Sequence, residues 1–192
     1  MNSYHYYMDI AELKVINIKS EILCRSAEDD FYYFNKINLA YKKLKEAVNL
    51  TPNHLKSLIF LADVTFIKGY IKKALDLYLK AETINNKNIK ILASAANCLY
   101  ITSDYTNALK YCNKAISMFD GENYIVLGQV FEIKMNILIL QKEYKQAYET
   151  LKTVKRIFNT SDLKSNSLFN YEFLNEKISI QKKIQKSNLK IV

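Results

Sequence analysis

The chain contains one proline, three glycines and no tryptophan in 192 residues. So few breakers exclude a many-stranded sheet with its Gly- and Pro-rich turns, and leave helices joined by short connections. Histidine is nearly as scarce: His5 and His54 are the only two, and neither stands near a cysteine or a carboxylate cluster with metal-ligand spacing. The three cysteines, Cys24, Cys98 and Cys112, form no C-x-x-C pair. They exclude a disulfide framework and read as buried thiols in a reducing compartment. Gly69, Gly121 and Gly128 are scattered, so no glycine-rich phosphate loop is present. No run approaches 18 apolar residues, "MNSYHYYMDIAEL" is too polar for a leader, and "KKIQKSNLKIV" cannot span a bilayer. These absences predict a soluble, cytoplasmic protein with no membrane insertion. With no nucleophile, base and stabiliser within reach of one another, they also predict no catalysis, no cofactor and no metal.

Arginine is scarce as well. Of 28 basic residues only Arg25 and Arg156 are arginine, although the formal net charge is +9. Phosphate-binding surfaces favour the guanidinium fork, so the basicity is discounted as evidence of nucleic-acid binding. The abundance of Asn, Ile, Lys and Tyr is what an AT-rich genome encodes. The excess is nevertheless uneven: residues 1–50 carry seven basic and seven acidic side chains, 51–141 ten and seven, and 142–192 eleven and five.

What the sequence does have is an echo. "GYIKKALDLYLKAETI" at 69–84 returns 34 residues later as "SDYTNALKYCNKAISM" at 103–118. Each copy places two alanines seven apart, Ala74 with Ala81 and Ala108 with Ala115. Seven residues is about two helical turns, so each pair shares a face and lets a second helix approach closely. Upstream, Ala40 and Ala47 repeat the spacing; downstream, Ala147 and Val154 do so after a step of 39, which puts five extra residues near "FDGEN". A period of 34 with helix–turn–helix content marks a repeat array.

The units resemble tetratricopeptide (TPR) repeats. Leu58, Leu61, Ala62, Gly69, Ala74, Tyr78 and Ala81 match that pattern in one unit, and Leu92, Ala95, Ala96, Leu99, Tyr105, Ala108 and Ala115 in the next. Pro52 matches the terminal proline, where later units have Asn86 and Asp120. The resemblance implies an all-α fold, a short right-handed superhelix (α-solenoid) of antiparallel helix pairs. Its expected parts are an N-terminal helical pair with a degenerate first unit at 1–54, units at 55–88, 89–123 and 124–158, and a C-terminal amphipathic capping helix and tail at 159–192, all within one domain. Stacked units bury their apolar faces on neighbours.

Helices are predicted near 53–67, 71–84, 88–101, 104–118, 124–140 and 144–158. Thr51 reads as a cap, with Pro52 in the first turn after it. Before that, "SAED" reads as a helix start with Ser26 as cap, giving long helices at about 5–24 and 27–50. That start also accounts for the acidic cluster Glu28, Asp29 and Asp30 through the helix dipole. The TPR register instead puts a turn near Asn35 and Lys36. The stretch 161–187 reads as one amphipathic helix.

In the family, the first helix of each unit lines the concave face. Carried onto this chain, the resemblance implies a partner-binding groove of Lys56, Ile59, Phe60, Asp63, Ile67, Lys90, Ser94, Asn97, Ile101, Gln129, Glu132, Ile133 and Asn136. Asp29, Asp63, Asn97 and Asn136 fall at equivalent places, a ladder able to bond the backbone of a peptide or helix. The alternative for the ladder is hydrogen bonding within the repeat. A heat-shock-protein carboxylate clamp is not expected: its places hold Arg25, Asp29, Phe60, Lys90 and Ser94, or Ile59, Asp63, Ser94, Gln129 and Ile133 in the next register. The leading expectation is a non-enzymatic adaptor, scaffold or assembly subunit holding a peptide or helix of a partner protein in a larger complex. The alternative is a nucleic-acid- or ribosome-associated protein docking through a basic end formed by Lys142, Lys145, Lys152, Lys155, Arg156, Lys182, Lys183 and Lys186, with Tyr144, Tyr148 and Tyr171 as stacking platforms. A third reading is self-association through an exposed helical end.

Overall fold

The alanines that recur through the sequence are the most deeply enclosed side chains of the molecule. Ala40, Ala47, Ala74, Ala81, Ala108 and Ala147 are inaccessible to solvent, and Ala115 is almost so. A computed structural model describes residues 10–159 and the single residue Ser179. Every described element is a helix: α1 (Ile10–Tyr32), α2 (Ile37–Leu50), α3 (Leu55–Ile67), α4 (Ile71–Ile84), α5 (Ile89–Ile101), α6 (Tyr105–Ser117), α7 (Tyr124–Leu140) and α8 (Tyr144–Asn159). The buried alanines lie on the even-numbered helices, each packed against the helix before it. The methyl-sized side chains let these pairs close to the roughly 8–10 Å of packed helices. The predicted capping helix at 161–187 lies outside the described residues.

The helices fall into two compact units, α1–α4 up to Asn86 and α5–α8 from Lys87. In the first, Cys24 and Ala27 of α1, Ala40 and Leu44 of α2, and Phe60, Leu61 and Val64 of α3 share one core. In the second, Leu127, Phe131, Met135 and Leu138 of α7 meet Tyr144, Ala147, Leu151 and Val154 of α8. Each fully buried Leu- or Phe-sized side chain contributes about 1.5–3 kcal/mol.

The turn within each helix pair has one solution, used four times. Asn35, Gly69, Ser103 and Lys142 have φ of 51°, 81°, 63° and 61°. They recur at the repeat's own spacing. In three of these turns the following residue closes the helix, Tyr70 N–H donating to Thr65 O (3.1 Å), Asp104 N–H to Leu99 O (2.9 Å) and Glu143 N–H to Leu138 O (2.8 Å), the Schellman arrangement. Glycine adopts this left-handed backbone freely and asparagine tolerates it, whereas serine and lysine pay about 1–2 kcal/mol. Ser103→Gly is therefore expected to stabilise the chain by about 0.5–1 kcal/mol net of glycine's entropy. Asn35→Gly is expected to gain less; urea unfolding of the two variants beside wild type checks the order.

Two expectations for the N-terminal region are overturned. The chain does not break at 24–27; α1 runs through "SAEDD" to Tyr32, and the break falls at Asn35, as the TPR register has it. No glycine or proline was needed there, because asparagine supplies the left-handed residue. The acidic cluster is thus near the end of a helix, where the dipole opposes it, and lateral lysines offset the charge. Lys56 Nζ donates to Glu28 Oε2 at 3.1 Å, and Lys43 pairs with Asp30. The second correction concerns Thr51 and Pro52. Thr51 closes α2, its hydroxyl donating to Ala47 O (3.1 Å). Pro52 occupies the second position of a four-residue turn closed by His54 N–H donating to Thr51 O (3.0 Å). His54 then stands at the cap position of α3, with its Nδ1 2.7 Å from Ser57 Oγ.

Candidate functional site

α5 and α7 enclose a groove of about 320 Å³ lined by Ala93, Ser94, Asn97 and Tyr100 from α5 and Gln129, Glu132, Ile133 and Asn136 from α7. Both helices are apolar around most of their circumference. α5 buries Ile91, Leu92, Ala95, Ala96, Cys98 and Leu99. Its polar positions 94 and 97 are three apart and share a face. On α7, positions 129, 132 and 136 do the same. Asn88 fixes the start of α5, its Oδ1 accepting from Lys90 N–H (3.0 Å) and Ile91 N–H (3.3 Å). The largely buried Ala93 and Ile133 supply the apolar part of the lining. Around them stand three carboxamides, a hydroxyl and a phenol, with Glu132 the only charged side chain of the lining. Carboxamides donate and accept, so this rim can match a peptide backbone in either direction.

Six groove residues read from the sequence are thus brought together: Ser94, Asn97, Gln129, Glu132, Ile133 and Asn136. Lys90 and Ile101 stand exposed towards the two ends of α5, outside the lining. Tyr100 was missed; it lies one turn beyond Asn97, and the spacing 97 to 100 was the available signal.

In the first unit the α3 positions behave differently. Phe60 is only 6% exposed. Phe31 lies edge-on to it at 5.6 Å between ring centroids, and Tyr32 stacks on it at 5.8 Å. Its predicted role of burying partner side chains is therefore corrected: the C-terminal turn of α1 already fills that role. Asp63 accepts from Tyr78 Oη at 2.6 Å, so this rung of the ladder serves bonding within the repeat. Lys56 is held by Glu28, which raises its pKa. Ile59 is half-buried, and Ile67 and Asp29 are exposed.

At the predicted basic end, Lys152 Nζ donates to Glu149 Oε1 (2.9 Å) and lies 4.9 Å over the Tyr148 ring. Tyr144 is buried in the core, not placed for stacking. Lys142 and Arg156 are exposed, and Lys145 borders a hollow between α6, α7 and α8. Lys155 is on α8; Tyr171, Lys182, Lys183 and Lys186 lie outside the described residues.

All three thiols are buried. Desolvation pushes Cys112 up to about 12, which keeps it protonated at neutral pH and removes its nucleophilic form. Among the described residues no three His, Cys, Asp or Glu side chains gather as a metal site would require. No helix there is long and apolar enough to cross a membrane.

The paired helices, the recurrent left-handed turn and the buried alanine face can be set beside known structures. A tetratricopeptide repeat protein from Parabacteroides merdae superposes with a TM-score of 0.72 at 16% identity, over 86% of this chain and 61% of that one. The fold is that of the tetratricopeptide repeat. MamA superposes at 0.67 with 16% identity, over 80% of this chain and 97% of that one. The TPR2AB domain of yeast Sti1, in its pHSP90 complex, superposes at 0.58 with 15% identity, over 85% and 71%. No protein-family model matches this TPR chain in sequence, and no curated protein does.

Proposed function

We propose that this chain is a non-enzymatic adaptor or scaffold that holds a peptide or helix of a partner protein in the α5–α7 groove as part of a larger assembly in the cytoplasm. The observation that carries this reading is the convergence of Ser94, Asn97, Gln129 and Asn136 around the apolar lining of Ala93 and Ile133. The carboxamides would fix the register of a partner backbone, and the apolar strip would take its side chains. A helical framework presents these groups with little ordering cost. Lys90 and Ile101 would extend the contact along a longer segment, and Lys56, Asp63 and Ile67 would form an outlying surface. The one charge of the lining is the carboxylate of Glu132, so the segment bound is neutral or basic. A terminal carboxylate of the heat-shock type finds no cation in this lining.

The test compares wild type with Asn97→Ala/Asn136→Ala in capture from source-cell extract, after nuclease and moderate salt. The expected result is a small set of proteins retained by wild type. The double variant should lose them by roughly tenfold or more in affinity, two hydrogen bonds at about 0.5–1.5 kcal/mol each. Its thermal midpoint should not change. Unchanged retention by a folded double variant would remove the groove from the site. Partners that vanish with nuclease and salt would transfer the function to the basic end.

A further inference from the structure

The first half of α1 has no packing partner within its own unit. Ser20 is its first buried residue; its hydroxyl donates to Ala47 O (3.1 Å) and meets Thr51 Oγ1 at the C-terminal end of α2. Residues 10–19 precede that contact, and all but the half-buried Ile16 are exposed. About ten residues make an arm of roughly 15 Å. Val15, Ile18 and Ile22 are 64%, 60% and 61% exposed. β-Branched residues are mediocre helix formers, and a short helix in water depends on burial of its apolar face. The arm therefore calls for a cover.

Its pattern says which one. Ala11, Val15, Ile18 and Ile22 are spaced by four, three and four residues, the a/d seam of a two-stranded coiled coil. Along one flank of the seam lie Glu12 and Lys19; along the other lie Lys14 and Glu21. Across a twofold axis, two antiparallel copies bring each flank against its own reverse. Glu12 then faces Lys19 of the other copy, and Lys14 faces Glu21, each junction occurring twice. A parallel pairing would set Lys14 against Lys19 instead. Within the chain Lys19 already lies 3.3 Å from Glu46, an exposed pair. Glu21 accepts from Arg25 (2.9 Å) and lies 3.9 Å from Lys56, so the flank of Glu12 and Lys19 is the more available.

We propose that the α1 stripe Ala11–Val15–Ile18–Ile22 is a homodimerisation surface, pairing antiparallel with α1 of a second copy and fixed in register by Glu12–Lys19 contacts between the copies. Sedimentation velocity of the full chain over a concentration series tests it. Wild type should show a concentration-dependent monomer–dimer equilibrium, and Ile18→Glu should be monomeric with an unchanged circular dichroism spectrum. Glu12→Lys and Lys19→Glu should each weaken dimerisation about tenfold. Mixing these two variants should restore it, because every junction then pairs opposite charges again. A wild-type chain that stays monomeric at every concentration would overturn the proposal and leave the stripe to another segment of the chain or another protein. A dimer untouched by Ile18→Glu would overturn it too, as would a mixture no tighter than its separate components.

Discussion

Lys43→Met is expected to destabilise the α1–α4 unit by about 3 kcal/mol, far more than the loss of an ordinary lysine. Its partner Asp30 has a side chain only 8% exposed, while Lys43 keeps 25% of its own surface. Asp30 Oδ2 accepts no well-aligned hydrogen bond, and the Lys43 ammonium is what offsets its charge. Removing the ammonium strands a desolvated carboxylate, the case in which breaking a buried ion pair costs about 3–5 kcal/mol. Lys43 also donates to Ser26 Oγ at 2.7 Å, which would be lost. The partial exposure of Lys43 sets the estimate at the lower end. Adding Asp30→Leu to Lys43→Met should recover most of the loss, since an apolar pair of similar volume often replaces a buried ion pair without penalty. Urea unfolding of the two single variants and the double variant checks this. Additive losses would mean that the pair is not coupled.

The same pair explains what the sequence withheld. Helices α3–α8 follow from local signals: the alanine spacing, the 34-residue period and Gly69 as a stop. Such signals act within one or two turns and survive in the one-dimensional pattern. The acidic run "EDD" carries a local signal as well, that of a helix start, but its lysine partners are 13 to 28 residues away on α2 and α3. A cross-helix pair leaves no mark at short range, so the local reading won and placed the break about ten residues early. Asn35 reinforced the error, because its left-handed backbone needs no glycine to announce it.

The groove was legible where register alone decides it. Residues 94, 97, 129, 132, 133 and 136 follow from the equivalence of first helices in successive repeats, and the α5–α7 lining contains all six. Phe60 follows from the same equivalence and fails for a tertiary reason. α1 ends in Phe31 and Tyr32, and the edge of an aromatic ring is well matched to the face of another. The pair covers the position that the repeat pattern leaves open. Register predicts where a side chain points; it does not predict what else arrives there.

Phe131→Ala is expected to cost about 3–5 kcal/mol and to abolish the groove by unfolding α5–α8, in contrast to the groove variant that leaves the fold intact. Phe131 is 1% exposed and packs among Leu127, Met135, Leu138, Ala147 and Leu151. Its removal forfeits the transfer energy of the ring and leaves a cavity that neighbouring helices fill only in part. A hollow of about 550 Å³ already borders Phe131 between α6, α7 and α8, so the cavity would open towards it and admit water. On a different face of the same helix, Gln129, Glu132 and Asn136 form the groove wall, and they keep their geometry only while α7 is held against α8. Phe131→Leu keeps most of the apolar contact and should cost about 1–2 kcal/mol. Denaturant unfolding monitored together with partner capture separates the cases. Phe131→Ala should lose stability and binding together, Phe131→Leu should bind with a lowered midpoint, and Asn97→Ala/Asn136→Ala should lose binding at an unchanged midpoint. Binding retained by a destabilised Phe131→Ala variant would show that the α7 wall is not what the partner contacts.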